Sequence, residues 1–189
     1  MTHIRLISKY KDFIVEIIDD LNYTLKSRDN ASNYDKVYSD AGGFQPTSKH
    51  GIRLHRNGSE YASAIICEAG SATGIHKDSF VIHEDHLLIC CSDKVYSLQL
   101  PDLTLNWSNR FDMATCFAIH RFRNDFIVHG EVEVKRIDVN GNIKWNFSAK
   151  DIFVVPDGAD ALKIDADKIE LTDWAGNKYL LDEKGRVIK

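Results

Sequence analysis

The sequence predicts an all-β, propeller-like stack of short antiparallel sheets, a partial or small propeller. Three observations carry that expectation. The first is self-repetition. The stretch from His86 through Trp107 is echoed from Asp125 through Trp145 and again from Lys168 through Val187. Leu98, Ile137 and Leu181 fall in register at spacings of 39 and 44 residues, and Leu105, Ile143 and Val187 at 38 and 44. Units of roughly 40 residues holding three or four short strands are the period of propeller blades. The second is turn chemistry, with Asn-Gly at 57–58 and again at 140–141 between apolar runs, the pair that a tight hairpin favours. The third is strand character. Leu87-Leu-Ile-Cys-Cys and Phe126-Ile-Val are unbroken apolar runs suited to strands covered on both faces, while Val132-Glu-Val-Lys-Arg-Ile-Asp-Val partly alternates.

The expected organisation is a single domain over 1–189, with an irregular portion at 1–50 and propeller-like repeats over 51–189. Tyr10, Phe13, Ile14, Ile17 and Leu21 would share one face of a helix. The β-branched run Ile14-Val-Glu-Ile-Ile and the polar break Asp19–Asn22 favour a hairpin instead. Residues 26–50, with Gly42-Gly43 and Pro46, read as a long excursion with little regular structure. From Gly51 the pattern sharpens: Ile52-Arg-Leu-His-Arg, the Asn57-Gly58 turn, then Tyr61 through Cys67 form a hairpin. Glu68 through Gly74 is a loop of small residues. The first clear blade starts at Phe80 and turns at Pro101-Asp102, and the second spans about Thr115 to Phe147. Asp151-Ile-Phe-Val-Val reads as a strand stopped by Pro156-Asp157-Gly158. The third blade follows, with strands at 161–164, 168–172 and 179–181 and a last short strand at 186–188. Trp107 and Trp145, at the ends of outer strands, are equivalent plates expected to be mostly buried between neighbouring sheets. Three blades account for about 110 residues by this blade period. The remainder allows one or two divergent blades, and so closure, or a cap on an open stack.

Composition bounds the class. The chain has 189 residues, 43% hydrophobic, with a net charge of −4. That balance argues against nucleic acid or an anionic membrane as the main partner, since both demand a basic face. Acids exceed bases nine to six over 151–189, against an even ten and ten over 1–80. The four cysteines, Cys67, Cys90, Cys91 and Cys116, all sit in apolar runs and read as reduced core thiols, which with the lack of an export signal predicts a cytoplasmic protein.

The segment Asp93-Lys-Val-Tyr-Ser-Leu-Gln-Leu-Pro-Asp-Leu-Thr-Leu-Asn-Trp107 resembles the repeat of quinoprotein-type (PQQ-like) propellers, and Arg136-Ile-Asp-Val-Asn-Gly-Asn-Ile-Lys-Trp145 fits the same outline. The resemblance covers roughly 80–189 and implies architecture only, because nothing matches the cofactor site of a quinoprotein dehydrogenase. The whole chain also resembles an uncharacterised family of small bacterial cytosolic proteins, through Ser48-Lys-His-Gly-Ile, Ala64-Ile-Ile-Cys, Ala72-Thr-Gly-Ile-His76, His129-Gly-Glu and Lys150-Asp-Ile-Phe-Val154. That likeness implies an immunity-type or accessory partner of a secreted toxin.

Several clusters invite chemistry, and each has a plainer account. His83-Glu84-Asp85-His86 lacks the helical spacing of a zinc His-Glu-x-x-His and reads as a solvated turn. Cys116 with His120 and His129 could pair a nucleophile with a base, but the thiol lies in a core-like strand where it would be inert. The loop Gly70–Gly74 before His76 could cradle an anion or simply let the chain approach a sheet. Asp157, Asp160, Asp165, Asp167 and Asp173 miss the spacing of a calcium loop. No catalytic, cofactor or metal residue is therefore assigned. The expectation is a non-catalytic protein-binding module whose partner is another protein, a toxin in the finer version, with no nucleic acid and no membrane. The alternative is a small enzyme or ligand-binding protein using the mouth of a propeller axis.

Overall fold

A computed structural model describes every residue except 1–3, 157 and 189. Among the described residues sixteen strands form four sheets and no helix occurs. The first sheet has order β1-β2-β4-β5-β3, built from β1 (Arg5–Tyr10), β2 (Phe13–Asp19), β3 (Lys36–Ser39), β4 (Ser48–Arg56) and β5 (Ser59–Glu68). The second is a simple meander of β6 (Phe80–His83), β7 (His86–Cys91), β8 (Lys94–Gln99) and β9 (Thr104–Arg110). The third repeats it with β10 (Cys116–Phe122), β11 (Asp125–Gly130), β12 (Glu133–Ile137) and β13 (Ile143–Ser148). The fourth has β14 (Leu162–Asp165), β15 (Lys168–Thr172) and β16 (Lys178–Leu181), with Val187 bridging back to Leu181. The all-β, propeller-like expectation therefore holds.

The register confirms the repeat residue by residue. Leu98 pairs with Leu105, Ile137 with Ile143 and Leu181 with Val187. The turns partly differ from expectation. Asn57 and Gly58 both have positive φ, 52° and 81°, as a two-residue type I′ hairpin requires. At 140–141 only Gly141 does. There the turn is a five-residue loop, Asp138 to Asn142, in which Asp138 N–H donates to Asn142 O and Gly141 N–H to Asp138 O, both at 3.0 Å. The same Asp-x-x-Gly-x loop recurs at 173–177 and 182–186, with matching bonds from Asp173, Gly176, Asp182 and Gly185. In each, the aspartate also accepts backbone N–H groups at the far side of its own loop, from Asn142, Asn177 or Arg186.

Two of these loops, 138–142 and 182–186, receive the outer-strand aromatics. Trp107 Nε1 donates to Val139 O and Trp145 Nε1 to Glu183 O, each at 3.0 Å. A Cβ on Gly141 would lie 3.1 Å from the Trp107 ring, and one on Gly185 2.6 Å from that of Trp145. Each indole thus lies on the glycine of the next sheet's turn and bonds a carbonyl beside it. Tyr38 of β3 takes the same part for the first sheet, donating to Leu103 O at 2.7 Å and accepting from Leu105 N–H. Both Trp are half-buried rather than mostly buried, because the outer strand leaves part of the ring in solvent.

The first third is more regular than its sequence suggested. The hairpin exists, but it turns at Lys11-Asp12, with Lys11 at φ 51°, and not at the polar break Asp19–Asn22. Within 26–50 lies β3, which pairs parallel to β5, and β4 begins at Ser48. Residues 151–155 are not a strand. They belong to the connection from β13 to β14, and Phe153, buried, plugs the space between the third and fourth sheets.

Three apolar clusters glue the sheets in chain order. Val15, Ile17, Ile52, Leu54, Leu87 and Ile89 join the first to the second. Leu88, Val95, Cys116, Phe126 and Val128 join the second to the third. Ile127, Val134, Phe153, Ile169 and Leu171 join the third to the fourth. Among the described residues no core cluster joins the fourth sheet back to the first, so the stack is an open arc of four blades.

Candidate functional site

Antiparallel strands reverse direction at each turn, so each end of the stack has its own set of loops. One end carries the connections between sheets, 69–79, 111–115 and 149–161, together with loop 40–47 and turn 173–177. The opposite end carries the short turns, including 11–12, 57–58, 84–85, 138–142 and 182–186. The connecting end is irregular and bears the crevices. Its two extremes are Met113 and Phe44, the most exposed large apolar side chains described, at 78% and 76% of full exposure. Trp174 stands at the same end at 49%. Asp112, buried, anchors the loop under Met113 by accepting N–H bonds from Ala114, Thr115, Val132 and Glu133.

A crevice of about 830 Å³ opens between the third and fourth sheets on the inner side of the arc. His76, Lys77 and Asp78 come from the loop before β6, Phe117 and His120 from β10, His129 from β11, and Phe153 and Asp160 from the 149–161 connection. His129 Nε2–H donates to Phe153 O at 3.2 Å, and the ring meets those of Phe117 and Phe153 edge-on. Burial pushes its pKa down to about 4. His120 is lowered as well, by burial first, with Asp78 and Asp160 opposing. Both imidazoles are thus held neutral near pH 7. A second crevice of about 500 Å³ lies on the outer face of the fourth sheet, against Lys163, Glu170, Thr172 and Lys178. A third, about 590 Å³, lies under loop 40–45 between the first and second sheets. Its floor is ionic: buried Glu68 takes hydrogen bonds from Lys94 at 3.1 Å, from Asp40 N–H at 3.1 Å and from the Tyr96 hydroxyl, and Lys94 also reaches Asp40 at 2.8 Å.

The residues singled out in the sequence disperse. His83 and His86 are direct cross-strand partners of the β6–β7 hairpin and point to one face, not opposite faces, because the turn between them has only two residues. His83 nonetheless meets Phe126, His86 bonds Ser97 and Asn106, and Asp85 accepts from Tyr10 and Lys11, tying the turn to the first sheet. Cys116 packs toward the second sheet, with its pKa raised well above the usual thiol value by burial, while His120 and His129 face the cleft on the other side. The thiol and imidazoles are not brought together. The loop 70–74 spends its polar groups internally: Thr73 bonds Ser48, His50 and Ser92, and His50 reaches Asp19 at 3.1 Å. Asp173 is buried in its own turn, Asp167 pairs with Arg123, and Asp157 lies outside the described residues. No group of three or more His, Cys, Asp or Glu able to hold a metal occurs among the described residues. The sequence reading missed Phe44, Met113 and Trp174, single apolar residues in polar loops, and the Glu68–Lys94–Tyr96 network, whose members lie 26–28 residues apart.

No protein-family model matches the sequence, and no curated protein matches it. Solved structures do. BamB from Moraxella catarrhalis superposes with a TM-score of 0.56 at 14% identity, over 100% of this chain and 50% of that one. The computationally designed Ika8 protein gives 0.55 at 10% identity, over 97% and 59%. The Neurospora crassa Pan2 WD40 domain gives 0.51 at 14% identity, over 97% and 48%. The chain thus spans about half the length of BamB and of the Pan2 domain, and the likeness is one of fold: a small, propeller-like arrangement.

Proposed function

We propose that this chain is a non-catalytic protein-binding module that presents its connecting end to another protein. The observation that carries it is the asymmetry of the two ends. One end gathers the crevices and the exposed Phe44, Met113 and Trp174; the other is closed by short turns whose aspartates are bonded internally. Exposed apolar anchors on loops held by a rigid scaffold are what a recognition surface needs. In its finer form the module is an immunity-type or accessory protein in the cytoplasm, and its partner a toxin. Four free, buried cysteines support a reducing compartment. No helix among the described residues is long and apolar enough to cross a membrane.

The test is a double variant, Phe44→Ser with Met113→Ser, compared with the parent in capture from the native host. Both side chains are solvent-facing, so the change in stability stays within about 0.5 kcal/mol, while recovery of a stoichiometric partner falls. Equal capture by the variant, or no partner at all, would overturn the proposal. A second reading, a small-molecule site, draws on the 830 Å³ cleft with its three imidazoles. It predicts metabolite-induced changes in the His120 and His129 ring signals, which the protein-binding reading does not.

A further inference from the structure

We propose that the cleft between the third and fourth sheets takes an extended peptide segment of the partner protein, added as a strand along the inner edge of β14. This rests on the protein-binding reading above. Thr172 N–H donates to Ala161 O at 2.8 Å, and the pairing continues through Lys163↔Glu170 and Asp165↔Lys168. In an antiparallel ladder those residues point their backbone groups at β15, so the N–H and C=O of Leu162 and Ile164 point the other way, to the free inner edge. The other inner strands of the repeat have that edge occupied. On β10, Ile119 N–H donates to Asp78 O at 2.8 Å and His76 Nε2 reaches Phe117 O at 2.9 Å. On β6, the Arg121 guanidinium donates to Ile82 O. Among the described residues no corresponding bond reaches Leu162 or Ile164.

The edge therefore offers unpaired donors and acceptors beside an open cleft, without the proline or bulge that commonly blunts an exposed strand. A peptide paired there would set alternate side chains against Phe117, Phe153 and Ile164, which line the cleft, and the others toward solvent. Charges at the rim balance, Lys77 and Lys163 against Asp78 and Asp160. The occupant is accordingly a segment of alternating apolar and polar residues without net charge, bound through its backbone and insensitive to salt.

The probe is a displayed library of random decapeptides panned on the full chain, with the best binder then synthesised. The expected winners alternate apolar and polar residues, and binding slows amide exchange at Leu162 and Ile164. Ile164→Pro, which removes an edge donor outside the β14–β15 ladder, weakens binding about tenfold or more, while Ile164→Val does not. Because the proline could disturb folding, N-methylation of alternate amides in the peptide supplies the same test on an unaltered protein, with the same loss in one of the two phases. Winners that bind equally well after either change, or that protect other amides, overturn the proposal. So does protection of Leu162 and Ile164 that grows with protein concentration alone, which would place a second copy on that edge. If the native partner needs Phe44 and Met113 but ignores Ile164→Pro, strand addition fails and the protein-binding reading stands. If library peptides seat on β14 while no native partner depends on Phe44 and Met113, the reverse holds.

Discussion

Gly185→Ala tests whether the indole-on-turn contact holds the blades together, and Gly176→Ala supplies its internal control. The two glycines occupy the same position of the same five-residue loop, at φ 74° and 80°. At Gly176 a Cβ would meet nothing within 4 Å; at Gly185 it would lie 2.6 Å from Cδ2 of Trp145. Both substitutions carry the left-handed strain of a residue with a side chain, about 1 kcal/mol, and both lose the same unfolded-state freedom. Gly185→Ala must in addition push the ring off the loop. That loses the bond from Nε1 to Glu183 O, about 1 kcal/mol, and the packing of one ring face, roughly another 1 kcal/mol for a half-buried indole. The difference between the variants should be about 2 kcal/mol, or roughly 1 M in urea midpoint for a chain of this size. Unfolding followed by circular dichroism avoids using the perturbed tryptophan as its own reporter. In a Trp145→Ala background Gly185→Ala should fall to the strain cost alone, leaving a coupling of about 2 kcal/mol. Equal midpoints for Gly176→Ala and Gly185→Ala would refute the docking role.

Three further outcomes are expected. His129 has a folded pKa of about 4, below its ordinary value near 6.5, so unfolding takes up a proton between those limits; stability is complete above pH 6.5 and falls by on the order of 3 kcal/mol toward pH 4, a slope that His129→Gln should flatten in pH-dependent urea titrations. Lys94→Met should cost about 3 kcal/mol by stranding the buried Glu68 carboxylate, and the added change Glu68→Gln should recover part of it in the same unfolding assay. The four thiols should resist an aromatic disulfide reagent in the native state, because burial pushes Cys67 up to about 12 and holds Cys90, Cys91 and Cys116 above their ordinary range; fast labelling of any of them before unfolding would contradict their placement.

The blade repeat was legible because one physical demand recurs at fixed spacing. Leu98, Ile137 and Leu181 each sit opposite the start of an outer strand, and that position must be apolar in every copy. The first sheet was harder to read because its strands do not follow the repeat. β3 is four residues long and pairs in parallel with a strand that comes later in the chain, a contact no local pattern encodes. Asp151 through Val155 shows the reverse error, since its apolar residues serve a plug rather than a ladder: Phe153 is held by Ala161, Leu162 and Leu171 from elsewhere in the chain. Asn140-Gly141 looked like a two-residue turn because the signal lies in the dipeptide, whereas the conformation is set by Asp138, whose carboxylate gathers Asn140 and Asn142 N–H groups. The candidate surface was legible least. Phe44 and Met113 are noticeable only once the fold shows that nothing covers them, and the free edge of β14 only once Asp78 and His76 are seen to occupy the matching edge of β10.

The docking device recurs at every joint between the described sheets. Each joint needs an aromatic on an outer strand and a receiving turn on the next sheet: Tyr38 on the turn at 100–104, Trp107 on 138–142, Trp145 on 182–186. Among the described residues the first sheet offers no receiving turn for a further joint. In the first sheet the corresponding turn is the two-residue Asn57-Gly58, where a Cβ on the glycine would meet nothing within 4 Å. The outer faces agree with that. On the first sheet Arg5 and His55 both engage Glu16, while Tyr23, Leu25 and Tyr34 of the 20–35 connection cover Ile65 and Cys67; on the fourth, Lys163, Glu170, Thr172 and Lys178 line a crevice on the outer face. Outer faces that are polar or covered by their own connection let the end units of a stacked array meet water. Closing the ring would bury those charges against a first sheet that has no receiving turn. A closed ring would turn its inner strands toward a narrow axis. An open arc leaves β14 and the cleft beside it within reach of another chain, and the edge that residues 76–78 fill on β10 has no counterpart among the described residues on β14.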